Sequence, residues 1–253
     1  VRLLHLKTQL LALLCGSASF LAAPAFAAQN MGAKGQSQCF GFCPVVRVQA
    51  GVASKRLDST VPSSGANVIL LSDASLAVDA ELGIWRTPAT LLSAVYSYEQ
   101  INWRIPAGTS MSSSASITHT ALLRFTGYPS RTARLRLGTE FGWAQMPIAI
   151  KASSSIVTQT LSAPMAGIFA EYYLFNVLGL HFSIETRAAA RLSGSTATDS
   201  YSFVPDLMGT LKIATKVGKL QVYVSPFLRY QSAKSTGCEL SALSLGAKVG
   251  IGF

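Results

Sequence analysis

Residues 180–192 read LHFSIETRAAARL. Taken in twos, Leu180, Phe182, Ile184, Thr186, Ala188, Ala190 and Leu192 fall on one face, and His181, Ser183, Glu185, Arg187, Ala189 and Arg191 on the other. A period of two is that of a β-strand, whose successive side chains point to opposite faces. One face is apolar, and the other carries charges of both signs. Two settings suit such a strand: a soluble sheet with its aliphatic face in a core, or a membrane barrel with that face in lipid.

The pattern repeats along the chain. Residues 132–144 place Ala133, Leu135, Leu137, Phe141 and Trp143 opposite Arg134, Arg136, Gly138 and Glu140. Eight further alternating segments lie near 45–54, 76–86, 91–99, 116–126, 164–174, 207–215, 219–231 and 241–253, giving ten strands in all. Pro226 interrupts the ninth and, having no N–H to donate, is expected to mark a bulge there. The connections alternate. Short ones fall at 87–90, 127–131, 175–179 and 216–218; long, Ser/Thr-rich ones fall at 55–75, 100–115, 145–163, 193–206 and 232–240. Alternating short turns and long loops with an even strand number is the layout of an outer-membrane barrel, and it puts both ends of the barrel on the short-turn side.

Composition separates the soluble from the membrane setting. Of 253 residues, 49% are hydrophobic and only 13% charged, against about 25% charged in an ordinary soluble domain. The aliphatic faces of the ten segments hold no Lys, Arg, Asp or Glu in mid-strand, and His119 is their one titratable residue. Aromatic residues (Trp143, Tyr172, Phe182, Tyr230, Phe253) stand towards segment ends on that face, as interface girdles do. No run after residue 27 reaches the roughly 18 uncharged apolar residues of a membrane helix, since Glu171 breaks the best one. The net charge of +10 does not point to nucleic acid, because the basic residues are scattered singly along the strands.

Residues 1–27 combine Arg2 and Lys7, an apolar run from Leu10, and Ala25-Phe26-Ala27, the layout of a cleaved Sec signal peptide. A short periplasmic segment, 28–44, is expected next, followed by the barrel over 45–253. Cys39 and Cys43 have a spacing that permits a small disulfide loop in an oxidising compartment, or both are reduced. Their CxxxC spacing suits neither a redox nor a zinc motif, and no cofactor or metal is expected.

With the aliphatic face outward, the other face lines the lumen. It carries Arg47, Arg124, Arg134, Arg136, Arg187, Arg191, Lys212, Arg229 and Lys248 against Asp79, Glu81, Glu99, Glu140, Glu171 and Glu185. Confined charges should pair, because an isolated buried charge is costly, and Lys248 is expected to meet Glu81 or Glu99. The set reads either as a salt-bridged plug or as a narrow wet path whose positive excess favours small anions. The loops offer a neutral rim or a surface for an extracellular ligand.

These features resemble those of small Gram-negative outer-membrane β-barrel proteins: an all-β, transmembrane, antiparallel up-and-down barrel of ten strands, with eight as the alternative. In that family a final strand with alternating apolar residues and a terminal Phe is read by the barrel assembly machinery. The resemblance extends that role to Leu245, Val249, Ile251 and Phe253 in "SLGAKVGIGF". It also implies periplasmic chaperones, lipid and lipopolysaccharide as partners. His181-Phe-Ser183 is similar to the His-x-Ser of lipid A deacylases, but Ile184 stands where the motif has Asn and the glutamate is missing. Ten strands also resembles the omptin proteases. Here His119 faces lipid, and Asp58, Asp73, Asp199 and Asp206, all in expected loops, form no evident cluster. No enzyme is expected. The reading is a structural or surface-interacting barrel with an occluded lumen, with a narrow channel as the alternative.

Overall fold

A computed structural model describes residues 43–61, 66–87, 89–111, 113–129, 133–152, 155–195, 200–235 and 238–253. The strands are β1 (Cys43–Val61), β2 (Ala66–Ser72), β3 (Ser75–Thr87), β4 (Thr90–Arg104), β5 (Ser110–Met111), β6 (Ala115–Gly127), β7 (Leu135–Ala152), β8 (Ser155–Val177), β9 (Leu180–Ser195), β10 (Ser200–Val217), β11 (Leu220–Lys234) and β12 (Glu239–Gly252). β1 pairs with β3 through residues 43–53 and with β2 through residues 56–61, so β2 and β3 form one course interrupted at Asp73 and Ala74. With that course counted once, ten antiparallel strands follow each other round a ring, and β12 closes it against β1 from Arg47↔Gly252 to Thr60↔Glu239. A closed ring leaves no open sheet edge, as a sheet in hydrocarbon requires.

All ten expected strands are present, and the first begins at Cys43 rather than residue 45. Cys39 and the segment 1–42 lie outside the described residues, as does the side chain of Cys43. The long connections are a correction. Residues 55–61, 100–104, 145–152, 155–163, 200–206 and 232–234, expected as loops, continue the strands.

The reason is a reversal of hydrophobic phase. On β4, Leu92, Ala94 and Tyr96 face outward and Ser93, Ser97 and Glu99 inward; further along, Ile101 and Trp103 face inward and Asn102 and Arg104 outward. β1 does the same, with Val48 and Val52 outside near its start and Leu57 inside with Arg56 outside near its end. The backbone alternation never stops. What changes is the outer medium, from lipid to water.

Outward charges bound the apolar band. On the β2–β3 course, Leu76, Leu82 and Ile84 are exposed between Asp73 and Arg86. At about 3.3 Å per residue and a typical barrel tilt of 35–45°, Leu76 to Ile84 span about 20 Å of height and the flanking charges stand about 30–35 Å apart, which brackets the ~25 Å apolar belt of an outer-membrane barrel. Pro226 is a second correction. Pairing of β11 with β12 runs unbroken through Pro226↔Ala247, and pairing with β10 keeps one register on either side of it. The proline leaves a gap in one ladder without inserting a residue. The slips among the described residues lie between Trp85 and Thr87, Ser162 and Met165, Tyr173 and Phe175, and Ser202 and Asp206.

Candidate functional site

The lumen is layered. At the short-turn end Trp85 stacks on Tyr128, ring centroids 6.2 Å apart, beside Val45 and Leu91. The charged layer follows. Arg47 pairs with Glu81 at 3.1 Å, Arg124 with Glu140 at 3.0 Å, Arg136 with Glu171 at 2.6 Å and Lys212 with Glu185 at 3.1 Å. Lys248 bonds Asp79, not Glu81 or Glu99, because β12 and β3 flank β1 and set Lys248 and Asp79 level across it, opposite Gly51 and Gln49. Gln49 donates to the same carboxylate at 2.6 Å. Arg134 sits apart, just ahead of β7, and donates to the Leu174 carbonyl at 3.4 Å.

Ring faces support the cations. The Arg124 guanidinium lies 4.3 Å from the Phe169 centroid and Arg136 5.3 Å from it, and Lys248 lies 4.7 Å from that of Phe227. A buried ion pair gains little over an apolar pair, but removing one partner costs about 3–5 kcal/mol. Interlocked pairs of this kind therefore fix one arrangement of the wall.

Two members of the layer escaped the sequence reading because they lie in strand extensions taken for loops. Lys55 shares its face with Arg47 and pairs with Glu99 at 2.8 Å. Asp206 shares its face with Lys212 and is fully buried. Arg229 grips Asp206 with two nitrogens, Nε at 2.8 Å; Gln231 donates at 3.0 Å, and Arg187 and Arg191 each approach to 3.4 Å. Continuing the period of two past residues 54 and 207 finds both. Beside this layer is an interior cavity of about 100 Å³, lined by Arg47, Asp79, Glu81, Arg187, Arg229 and Lys248 among others.

Above the charges the lumen becomes apolar. Leu57, Leu70, Ile101, Trp103, Met146, Ile148, Leu161, Tyr201, Val204 and Leu240 form one buried cluster. The tip of the β7–β8 hairpin makes much of it. Met146 to Ala149 are buried on both faces of the strand, whereas a wall strand keeps one face outside. β7 also touches β1 and β2, although β4 and β6 stand between β7 and the β2–β3 course in the ring, and that course stands between them and β1. The hairpin thus leaves the wall near the register slip between Ser162 and Met165 and crosses the mouth as a cap. Burying each Leu or Ile contributes about 1.5–3 kcal/mol. Cys238, a free thiol, is buried in the same cluster with Sγ 3.1 Å from Ser59 Oγ.

The residues weighed for catalysis sit apart. Ser183 donates its hydroxyl to Glu171 at 3.2 Å, and His181 lies near the short-turn end of β9. His119 faces outward, its Nδ1 2.8 Å from the Tyr96 hydroxyl. Leu245, Val249, Ile251 and Phe253 are all exposed on the outer wall beside the β1–β12 seam.

No protein-family model matches the sequence, and no curated protein matches it. Solved structures do. The outer-membrane protease OmpT of Escherichia coli superposes with a TM-score of 0.51 at 9% identity, over 86% of this chain and 99% of OmpT. The transport unit of the autotransporter AIDA-I of Escherichia coli gives 0.45 at 9% identity, over 90% and 99%. An outer-membrane channel of Pseudomonas putida F1 gives 0.41 at 9% identity, over 91% and 100%. At such identity the likeness is one of fold, and the OmpT superposition carries it: the chain is an antiparallel ten-stranded β-barrel of the outer-membrane type, with a buried network of charges inside.

Proposed function

We propose that the protein is an integral outer-membrane barrel of a Gram-negative envelope, closed to solutes, with a structural or surface-contacting role. The carrying observation is the cap: residues 146–149 of β7, in the part of the β7–β8 hairpin that crosses the mouth, are buried on both faces. A solute would have to displace that apolar cluster and then part the ion pairs beneath it. The rim beyond the lipid band carries compensated charges (Arg56 with Asp58, Arg104 with Asp73, Lys234 with Glu239), which suits a water-facing surface without strong selection for a charged ligand. The outward residues of β12 would meet lipid, lipopolysaccharide and, during insertion, the assembly machinery and its chaperones. We assign no catalytic role, since the hydroxyl of Ser183 is engaged by Glu171 and His119 points away from the lumen.

A swelling assay on vesicles carrying the refolded protein tests this reading. Swelling in isotonic sugars or chloride salts should match that of empty vesicles. Size-dependent entry of sugars would overturn it. The basic excess around the central cavity favours the second reading, a narrow anion path, and chloride entry without sugar entry would select it.

A further inference from the structure

The β7–β8 tip is patterned as wall, although it lies as a cap. One face of this two-stranded ribbon carries Met146, Ile148 and Leu161; the other carries Gln145, Ala149, Thr158 and Thr160. That is the phase of the upper wall, apolar towards the lumen and small or polar towards water, as on β4 beyond Gln100. Lying across the mouth instead buries Pro147 and Ala149 of the second face, and leaves Gln159 Oε1 buried without a hydrogen-bond partner.

The wall has a matching free edge. β6 pairs with β7 from Gly127↔Leu137 to Thr120↔Ala144, but residues 115–119 of β6 pair only with β4. Among the described residues no strand pairs with their other side. Continuing the same register would set His119 against Gln145, Ile117 against Pro147 and Ser116 against Ile148.

Where the ribbon departs, two substitute hydrogen bonds stand in for one ladder bond. The His119 N–H donates to the side-chain Oε1 of Gln145 at 3.0 Å, and Nη2 of Arg191 donates to the Gln145 carbonyl at 3.0 Å. In the extended register that N–H and that carbonyl would meet, since every second antiparallel pair exchanges both of its bonds. Ile117 and Pro147 would form the next such pair, and proline has no N–H for the Ile117 carbonyl. Pro147 therefore weakens the edge position by one donor and favours the position across the mouth.

We propose that the β7–β8 tip is a gate with two positions: across the mouth, as described, and zipped onto the free edge of β6, where it lengthens the wall and opens the mouth. In the second position Met146, Ile148 and Leu161 line the upper lumen, as Ile101 and Trp103 already do. The exchange gives up the short β5–β8 pairing and the contacts with β1 and β2, and gains ladder bonds along 115–119. It rests on the closed reading above, since a gate needs a shut state.

Planar-bilayer recording of the full chain tests the gate with variants first shown to fold by heat-modifiable migration. Pro147→Thr restores the missing donor and should multiply the time spent conducting by about two- to tenfold, the weight of one backbone hydrogen bond. Ser116→Cys with Ile148→Cys, in a chain whose four native cysteines are replaced by serine, should cross-link under mild oxidation and hold the current on. A reductant should then restore silence. The pair suits a disulfide because facing residues of a non-hydrogen-bonded pair stand about 4.5 Å apart at Cα. Thr118→Cys with Ile148→Cys, two residues out of register, should not lock the current. If the cysteine pair does not fold, Pro147→Thr decides. A pair that does not cross-link, a cross-linked chain that stays silent, or Pro147→Thr no more conductive than the intact chain would each overturn the gate and leave the closed barrel standing. Steady current from the intact chain would overturn the closed reading and the gate with it.

Discussion

Asp206 shows how much a single side chain can hold here. One fully buried carboxylate faces Arg187, Arg191, Arg229 and Gln231. Asp206→Asn keeps the shape but leaves guanidiniums without their charge partner, and should cost about 3–5 kcal/mol, measured by denaturant unfolding of the folded barrel. Lys234→Met, at the exposed pair with Glu239, should cost less than about 1 kcal/mol in the same measurement. At the other end Leu178 has φ 51° and is 98% exposed, beside Gly179 at φ 78°. Both central residues of this two-residue hairpin turn have positive φ, where Asn-Gly is favoured over a bulky residue. Leu178→Asn should therefore stabilise the barrel by up to about 1 kcal/mol. Asp206 was hidden in the sequence for a physical reason: Pro205 and the Ser-rich run before it look like loop, although Asp206 keeps the inward parity of Lys212.

At the scale of elements, the reversal of phase explains what sequence periodicity could and could not read. A search for outward apolar residues ends each strand where the lipid ends, because beyond that level the apolar residues turn inward. Ile101 and Trp103 continue the inward face of Glu99, and Leu57 that of Lys55. The turns at the other end were legible, since strand and lipid stop together there. The cap was not, because burial on both faces of 146–149 depends on β1 and β2, nearly a hundred residues earlier. If the β7–β8 tip is only a lid over an intact wall, joining Gln145 to Ser162 through an Asn-Gly turn should leave a folded barrel. Heat-modifiable migration on a gel should persist in that variant, while cysteines placed at Leu57 or Leu240 should become open to water-soluble thiol reagents.

The whole molecule combines two barrels of opposite polarity on one set of strands. The lower part is apolar outside and ionic inside; the upper part is apolar inside and polar outside. Architecture followed from the period of two, the scarcity of charge and the alternation of connections. The pairing inside the lumen did not, because Lys248–Asp79 and Arg229–Asp206 depend on strand register and stagger that no local pattern carries. The proposed closed state would rest on both parts, with the cap across the mouth and the ion pairs bracing the wall below it. Single-channel recording in planar bilayers, with the intact chain and the cap-shortened variant side by side, tests this most directly. The intact barrel should stay silent while the shortened one gives steady, anion-favouring conductance. Steady conductance from the intact chain, equal to that of the variant, would contradict the account.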